Sequence, residues 1–404
     1  MRRPEPQQDL SAPWRCGLTL LVVLASALSP PVIADPVSQV KALGKASLLL
    51  KERDRDLIAY QADRPRVPAS TMKVLTAYAA LETWGPSYRF ETEFFQDRAG
   101  WLWVKGYADP YLVSEELDLI VRALERSGIS TVAGIGLDDS FFSPEVEIAG
   151  RSSSDNPYDA PVTALAANFN TINLVRRGDS IRSAESQTEL TPTARRFGLA
   201  GSNGKQRVNL RERPIAIRYF GELLAAKLKG AGITVGDGQK NAPVPSKARL
   251  VYRHANSRSL SEMLAPMLKY SNNFIANALF LRLAEPNGQG RVSMSAAQGA
   301  MTRFARGRFG WRDFRIDDGA GLSRANRLSA RQLVALVEAF APYRELLPAQ
   351  DGDPGVRAKT GTLRGVSCYA GFVRRSGSWA PFALLINQPV DHNLRRRVAS
   401  SLTR

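Results

Sequence analysis

The chain has 404 residues, more than one ordinary hydrophobic core organises, which predicts two domains. Its composition, 44% hydrophobic and 23% charged, is that of a globular protein and excludes a disordered or fibrous chain. A balance of 55 Lys+Arg against 38 Asp+Glu leaves +17, a field that favours anionic surfaces, yet no helix-turn-helix, zinc-finger spacing or aromatic-basic interleaving marks a nucleic-acid site.

At the N-terminus Arg2, Arg3 and Arg15 precede an apolar run at 17–28, and Val32-Ile33-Ala34 supplies small residues for cleavage. This pattern predicts a secretory signal peptide over 1–34 and a periplasmic mature protein. The run is shorter than the roughly 20 residues a membrane span needs, so no integral anchor is expected in the mature form. Cys16 precedes the run instead of following it, which argues against a lipoprotein. Removing 1–34 leaves Cys368 as the one cysteine, so no internal disulfide forms. With His254 and His392 as the only histidines, a zinc cage lacks ligands, and no metal or cofactor is expected. No G-x-S-x-G elbow is present. The stretch 198–204 lacks phosphate-loop spacing, and Asn203-Gly204 reads as a hairpin turn.

Further along, 46–50 and 57–61 flank a polar turn and predict a hairpin. An extended segment, 64–69, ends at Ser70. Met72, Val74, Leu75, Tyr78, Ala79 and Leu81 then recur at helical spacing until Trp84-Gly85. The region 95–248 changes character, with a strand at 101–106, a helix at 115–127, a turn-rich stretch at 140–161, a helix at 214–230 and a Pro-bearing connector at 242–247. Helical patterns return at 259–270 and 274–284. Ser329 with Gln332 makes a capping box for a helix ending near Phe340. Strands at 356–362, 366–373 and 379–387, separated by short Gly-bearing turns, predict an antiparallel meander, and a last helix covers 394–402. The fold class is α+β. One domain, made of 35–94 and 249–404, is interrupted by another, 95–248.

Three patterns carry chemistry. In Ser70-Thr71-Met72-Lys73 the lysine lies one helical turn from the serine, on the same face. A lysine whose pKa is lowered by burial or a neighbouring cation can take the hydroxyl proton. The same spacing at Ser38–Lys41 and Ser202–Lys205 shows how easily it arises by chance, but only Ser70 follows an extended segment and opens a long apolar helix. A serine there also reads as a plain N-cap. Lys359-Thr360-Gly361-Thr362, ending one predicted strand before another, can hold a carboxylate, and Gly361 lets a substrate backbone approach. The alternative is a basic edge strand. Ser271-Asn272-Asn273, between two helices, offers a hydroxyl to relay protons and an amide to bind a carbonyl, or is ordinary loop capping. The literal Ser154-Asp155-Asn156 is its rival, but lies in a Ser-rich turn with no flanking helix. Serine–lysine, serine–asparagine and lysine–threonine–glycine in that order form the triple of penicillin-binding proteins and class A β-lactamases.

The chain resembles the class C low-molecular-weight penicillin-binding proteins, the D-Ala-D-Ala carboxypeptidase/endopeptidase family of the DacB type, peptidase S13. Besides the triple, Pro68-Ala69-Ser70-Thr71, Gly106-Tyr107-Ala108-Asp109-Pro110 and the run from Asn168 to Leu174 are similar to its members. So are the run from Asp318 to Arg324, Asn326-Arg327-Leu328-Ser329, and Ala358 to Thr362 with Gly365-Val366-Ser367. The resemblance implies a serine penicillin-binding/β-lactamase-like transpeptidase domain, an antiparallel sheet flanked by helices, with an inserted domain between the first two motifs. The stretch after Asn173 is shorter than in larger members. Asn272 stands where the family usually has aspartate, and Tyr270-Ser271-Asn272 also reads as the Y-x-N of class C β-lactamases.

By that resemblance Ser70 attacks the penultimate D-Ala carbonyl, Lys73 is the base and Ser271 passes the proton to the leaving amine. Asn273 orients the peptide, and Lys359, Thr360, Gly361 and Thr362 bind substrate, with Lys359 and Thr362 on its terminal carboxylate. The Ser70 and Thr362 N–H groups form the oxyanion hole. Peptidoglycan stem peptides are the implied substrates, and β-lactams the covalent inhibitors. A β-lactamase is one alternative, weakened by the lack of an E-x-x-x-N loop; a catalytically inert peptidoglycan-binding protein is another, weakened by retention of Ser70 and Lys73.

Overall fold

The structure, a computed structural model, describes residues 35–404, so the predicted signal peptide lies outside the described residues. Within Pro36–Arg404, a six-stranded antiparallel sheet runs in the order Ala349–Gln350, Asp353–Leu363, Val366–Arg375, Ser378–Ile386, Ala46–Glu52, Arg55–Tyr60. Its central strands are apolar on both faces because both faces are covered. Leu49, Cys368, Ala370, Ala383 and Leu385 point into the main core, whereas Leu48, Leu50, Tyr369, Leu384 and Ile386 point the other way. This is the period-2 alternation of a strand. Val40 of the Pro36–Lys41 helix and Leu394 and Val398 of the Leu394–Ser401 helix cover the second face.

On the first face lie the helices Met72–Trp84, Leu260–Tyr270, Asn273–Arg282, Met294–Phe309 and Ala330–Ala339. The Met72–Trp84 helix is buried continuously from Met72 to Leu81, so it is a central helix, apolar nearly all round. Burial on every side encloses Lys73 as well. The Ser329–Gln332 capping box forms as expected.

Between these halves the chain builds a five-stranded sheet, in the order Arg249–Ala255, Glu91–Gln96, Trp101–Gly106, Thr131–Asp138, Thr234–Asn241, with parallel pairing across its last three strands. The Ser114–Arg126 and Arg213–Gly230 helices supply the parallel crossovers and fill a separate apolar core with Leu117, Ile120, Phe220 and Leu224. Glu91–Gln96 and Arg249–Ala255, the strands entering and leaving this region, pair with each other. A three-stranded sheet, Ser180–Ser183, Thr171–Arg177, Gly204–Asn209, lies beside it in sequence. The expected hairpin at Asn203-Gly204 is not formed. The Pro192–Ala200 helix precedes it, and the strand that follows pairs with Thr171–Arg177, so the positive φ of Gly204, 100°, serves a helix-to-strand turn. Among the described residues no helix is long and apolar enough to cross a membrane.

Candidate active site

Ser70 sits in a single 3-10 turn, Ala69–Thr71, that leads into the Met72–Trp84 helix. Ala69 has φ 48°, a left-handed conformation that costs a non-glycine residue about 1–3 kcal/mol and persists only where the surroundings impose it. Two glycines do the imposing. A Cβ on Gly321 (φ 79°) would lie 1.9 Å from the Ala69 carbonyl oxygen, and one on Gly361 would lie 2.7 Å from that of Pro68. Gly361 therefore lets its strand press against the turn that carries the serine.

Lys73 Nζ lies 3.1 Å from Ser70 Oγ, 2.7 Å from Asn273 Oδ1 and 2.8 Å from the Ala320 carbonyl. The residue is fully buried. Burial holds its pKa well below the usual lysine value, and the charge of Lys359 pushes the same way, against a weaker opposing pull from Asp318. A neutral amine has two N–H bonds and one lone pair. Asn273 Oδ1 and the Ala320 carbonyl can accept only, so in the neutral amine they take both protons and the lone pair is left for the Ser70 hydroxyl. The other two serine–lysine spacings end in exposed lysines, Lys41 and Lys205, which have no such environment.

Asn273 also donates through Nδ2 to the Tyr158 carbonyl, 3.1 Å away. Ser271 closes the Leu260–Tyr270 helix in a left-handed conformation (φ 56°, ψ 40°) and lines the same cavity as Ser70, but is not among the hydrogen-bond partners of Lys73. Asn272 caps the Asn273–Arg282 helix, its Oδ1 accepting from Ile275 N at 3.1 Å. Aspartate and asparagine are near-equal caps. Asn272→Asp is therefore expected to leave penicillin acylation within a few-fold, whereas Asn272→Ala should cost about 1 kcal/mol in thermal unfolding.

The rival Ser154-Asp155-Asn156 is occupied in its own loop. The Ser154 hydroxyl donates to Asp159, Asp155 pairs with Arg211, and Asn156 caps the short turn Pro157–Asp159. The turn nevertheless places Tyr158 at the cavity.

The cavity over Ser70 holds about 360 Å³ and is lined also by Leu322, Thr360, Thr362 and Leu363. Past Ala358, whose N–H donates to the Pro348 carbonyl at 3.0 Å, the described ladder of the Asp353–Leu363 strand is with Val366–Arg375, and its other side faces the turn that carries Ser70 and the cavity. Lys359 is buried, its Nζ donating to the Thr360 carbonyl at 2.8 Å. Burial first, and Arg395 second, lower its pKa to about 7.

Two contributors have no role in the sequence analysis, although the resemblance there includes the run from Asp318 to Arg324. Arg395, only 6% exposed, reaches from the Leu394–Ser401 helix to Thr362 Oγ1 at 2.6 Å and the Gly361 carbonyl at 3.2 Å. With a donor occupying its oxygen, the Thr362 hydroxyl proton is free to turn towards the cavity. Nothing in Arg395-Arg396-Arg397 says which arginine is buried. The second is the loop around Asp318, whose carboxylate accepts from the N–H groups of Ala320, Leu322 and Ser323 and so fixes the Ala320 carbonyl on Lys73.

Residues 33–354 match the model of the D-Ala-D-Ala carboxypeptidase 3 (S13) family. A D-alanyl-D-alanine carboxypeptidase of Actinomadura sp. is 26% identical over 89% of this chain and 79% of its own. The D-alanyl-D-alanine carboxypeptidase DacB of Haemophilus influenzae is 24% identical over 81% and 82%. The crystal structure of penicillin binding protein 4 (dacB) from that organism superposes with a TM-score of 0.75 at 21% identity, over 92% of this chain and 99% of that one. It establishes the shared penicillin-binding fold. With the family match extending over most of its length, the chain belongs to the D-Ala-D-Ala carboxypeptidase 3 (S13) family.

Proposed function

We propose that the protein is a serine-type D-Ala-D-Ala carboxypeptidase, with D,D-endopeptidase capacity, acting on peptidoglycan stem peptides in the periplasm. Ser70 attacks the penultimate D-Ala carbonyl as its proton passes to Lys73. The Ser70 and Thr362 N–H groups receive the oxyanion, where one such donor typically contributes about 3–4 kcal/mol. The tetrahedral adduct collapses to the ester, and the proton passes through Ser271 to the departing D-Ala nitrogen. Water then attacks the ester, Lys73 again taking the proton, and Ser70 is released. A β-lactam enters by the same route and stalls at the ester. The observation that carries this reading is the environment of Lys73, which is buried, depressed in pKa and 3.1 Å from the serine hydroxyl.

Thr362 with Arg395 and Lys359 behind it form the cationic end of the cleft, which suits a terminal carboxylate. Amidating the C-terminus of a D-Ala-D-Ala peptide is expected to cut kcat/KM at least tenfold in the wild type. Lys359→Ala should discriminate little between acid and amide. Equal discrimination by both proteins would remove Lys359 from the role.

A further inference from the structure

A neutral lysine serves as a base only where its neighbours hold it in one orientation, and one of those neighbours, the Ala320 carbonyl, belongs to none of the three motifs. The loop that carries it is clamped from both sides. One helical turn past Lys73, Thr76 Oγ1 donates to the Gly319 carbonyl at 2.7 Å. One turn past Asn273, Asn277 Oδ1 accepts from the Gly319 N–H at 2.9 Å. The helices that supply the amine and its amide partner therefore also grip the residue before Ala320. They leave Gly319 no room for a side chain: a Cβ would lie 2.4 Å from that of Phe280 and 2.8 Å from the Ala276 carbonyl oxygen.

Asp318, at the head of this loop, is fully buried, yet the steps proposed above do not use it. One of its oxygens accepts from the N–H groups of Ala320 and Leu322, at 3.0 and 3.1 Å. The other accepts from Ser323 N at 3.1 Å and Asn326 Nδ2 at 2.6 Å. Four donors fill the acceptor sites of a carboxylate. None is left for Lys73, so Asp318 reaches the amine indirectly, through the Ala320 carbonyl and through its charge. The charges that bear on Lys73 come from Lys359, on the Asp353–Leu363 strand, and from Asp318, with opposite signs. Ser70 and Asn273, the other partners of the amine, are neutral. Inside the protein neither charge is screened as it would be in water.

We infer that Asp318 is a positioning residue for acyl transfer, which fixes the place of the Lys73 amine through Ala320 and offsets the charge of Lys359 there. This rests on Lys73 as the base, as proposed above, and adds how its orientation and protonation are held. Burial and Lys359 disfavour the ammonium, and the Asp318 carboxylate favours it. A base whose pKa falls too far below the working pH accepts a proton poorly, so the offset keeps Lys73 effective. Only the neutral amine accepts, so Asp318 holds the rising limb of acylation at a higher pH than burial and Lys359 alone would set. Without its charge the limb moves to lower pH, opposite to the shift expected of Lys359→Ala.

Stopped-flow acylation by a fluorescent penicillin, followed against pH, tests this. Asp318→Asn keeps the shape, removes the charge and turns an NH2 group towards two of the four donors. It is expected to lower the plateau rate by about tenfold or more and to move the rising limb to lower pH. A purely structural role would lower the rate and leave the limb in place. Thr76→Val keeps shape and charge and loses the bond to Gly319, so its plateau rate should fall with the limb unmoved. A limb in Asp318→Asn that stays in place or moves to higher pH overturns the proposal. So does a wild-type rate in Thr76→Val, which stands as the test if circular dichroism shows Asp318→Asn unfolded. A wild type without a rising limb, or a normal rate in Lys73→Ala, instead removes the base reading on which the proposal rests.

Discussion

Lys73→Ala is expected to slow acylation by penicillin by at least 10²–10⁴-fold, the usual contribution of a positioned general base. The substitution removes the amine that lies against Ser70 and leaves Asn273 Oδ1 and the Ala320 carbonyl without their shared donor. Stopped-flow labelling with a fluorescent penicillin measures it, and a near-normal rate would exclude Lys73 as base. The pH dependence has a definite sign. Only neutral Lys73 accepts a proton, so the rate rises with pH through its lowered pKa. Lys359 helps to lower that pKa, so Lys359→Ala should raise it and move the rising limb to higher pH. For a carboxylate substrate Lys359, at about 7 in the free protein, loses its charge as pH rises and holds the substrate less well, whereas a neutral amide is insensitive to that loss.

The second large effect belongs to Asn273. Its amide holds Lys73 through Oδ1 and donates one Nδ2 proton to the Tyr158 carbonyl, which leaves the second Nδ2 proton for the substrate contact proposed above. Asn273→Ala should lower penicillin acylation by one or more powers of ten, because a contact to the reacting amide matters most as charge develops. Circular dichroism should remain that of the wild type. Asn156→Ala, in the literal S-D-N, removes only the cap of a three-residue turn and should cost about 1 kcal/mol of local stability. The opposite ranking would move the active site to the wrong loop.

How much of this was legible in the sequence depends on how each feature is encoded. Ser70 and Lys73 could be read because a helix turns spacing into proximity, and Ser271–Asn273 because it sits between two clear helical patterns. The sheet strands at 366–375 and 378–386 announced themselves by apolar runs. Thr234–Asn241 did not, since it contains two glycines and is mostly exposed. The Met294–Phe309 helix, rich in small and basic residues, gave no apolar stripe, although Ser293 and Gly310 mark its ends. In the site, the Ala320 carbonyl was invisible because a backbone acceptor has no letter in the sequence. Arg395 was hidden among identical neighbours. The packing of Gly361 against the serine turn was not legible, because close approach of strand to turn emerges only in three dimensions.

The most direct test of the central claim is where the acyl group goes. After reaction with penicillin, peptide mapping by mass spectrometry is expected to find a single adduct, on the peptide containing Ser70. Ser70→Ala should carry no adduct, while Ser38→Ala and Ser202→Ala label normally. An adduct on any other residue, or persistent labelling of Ser70→Ala, would contradict the account.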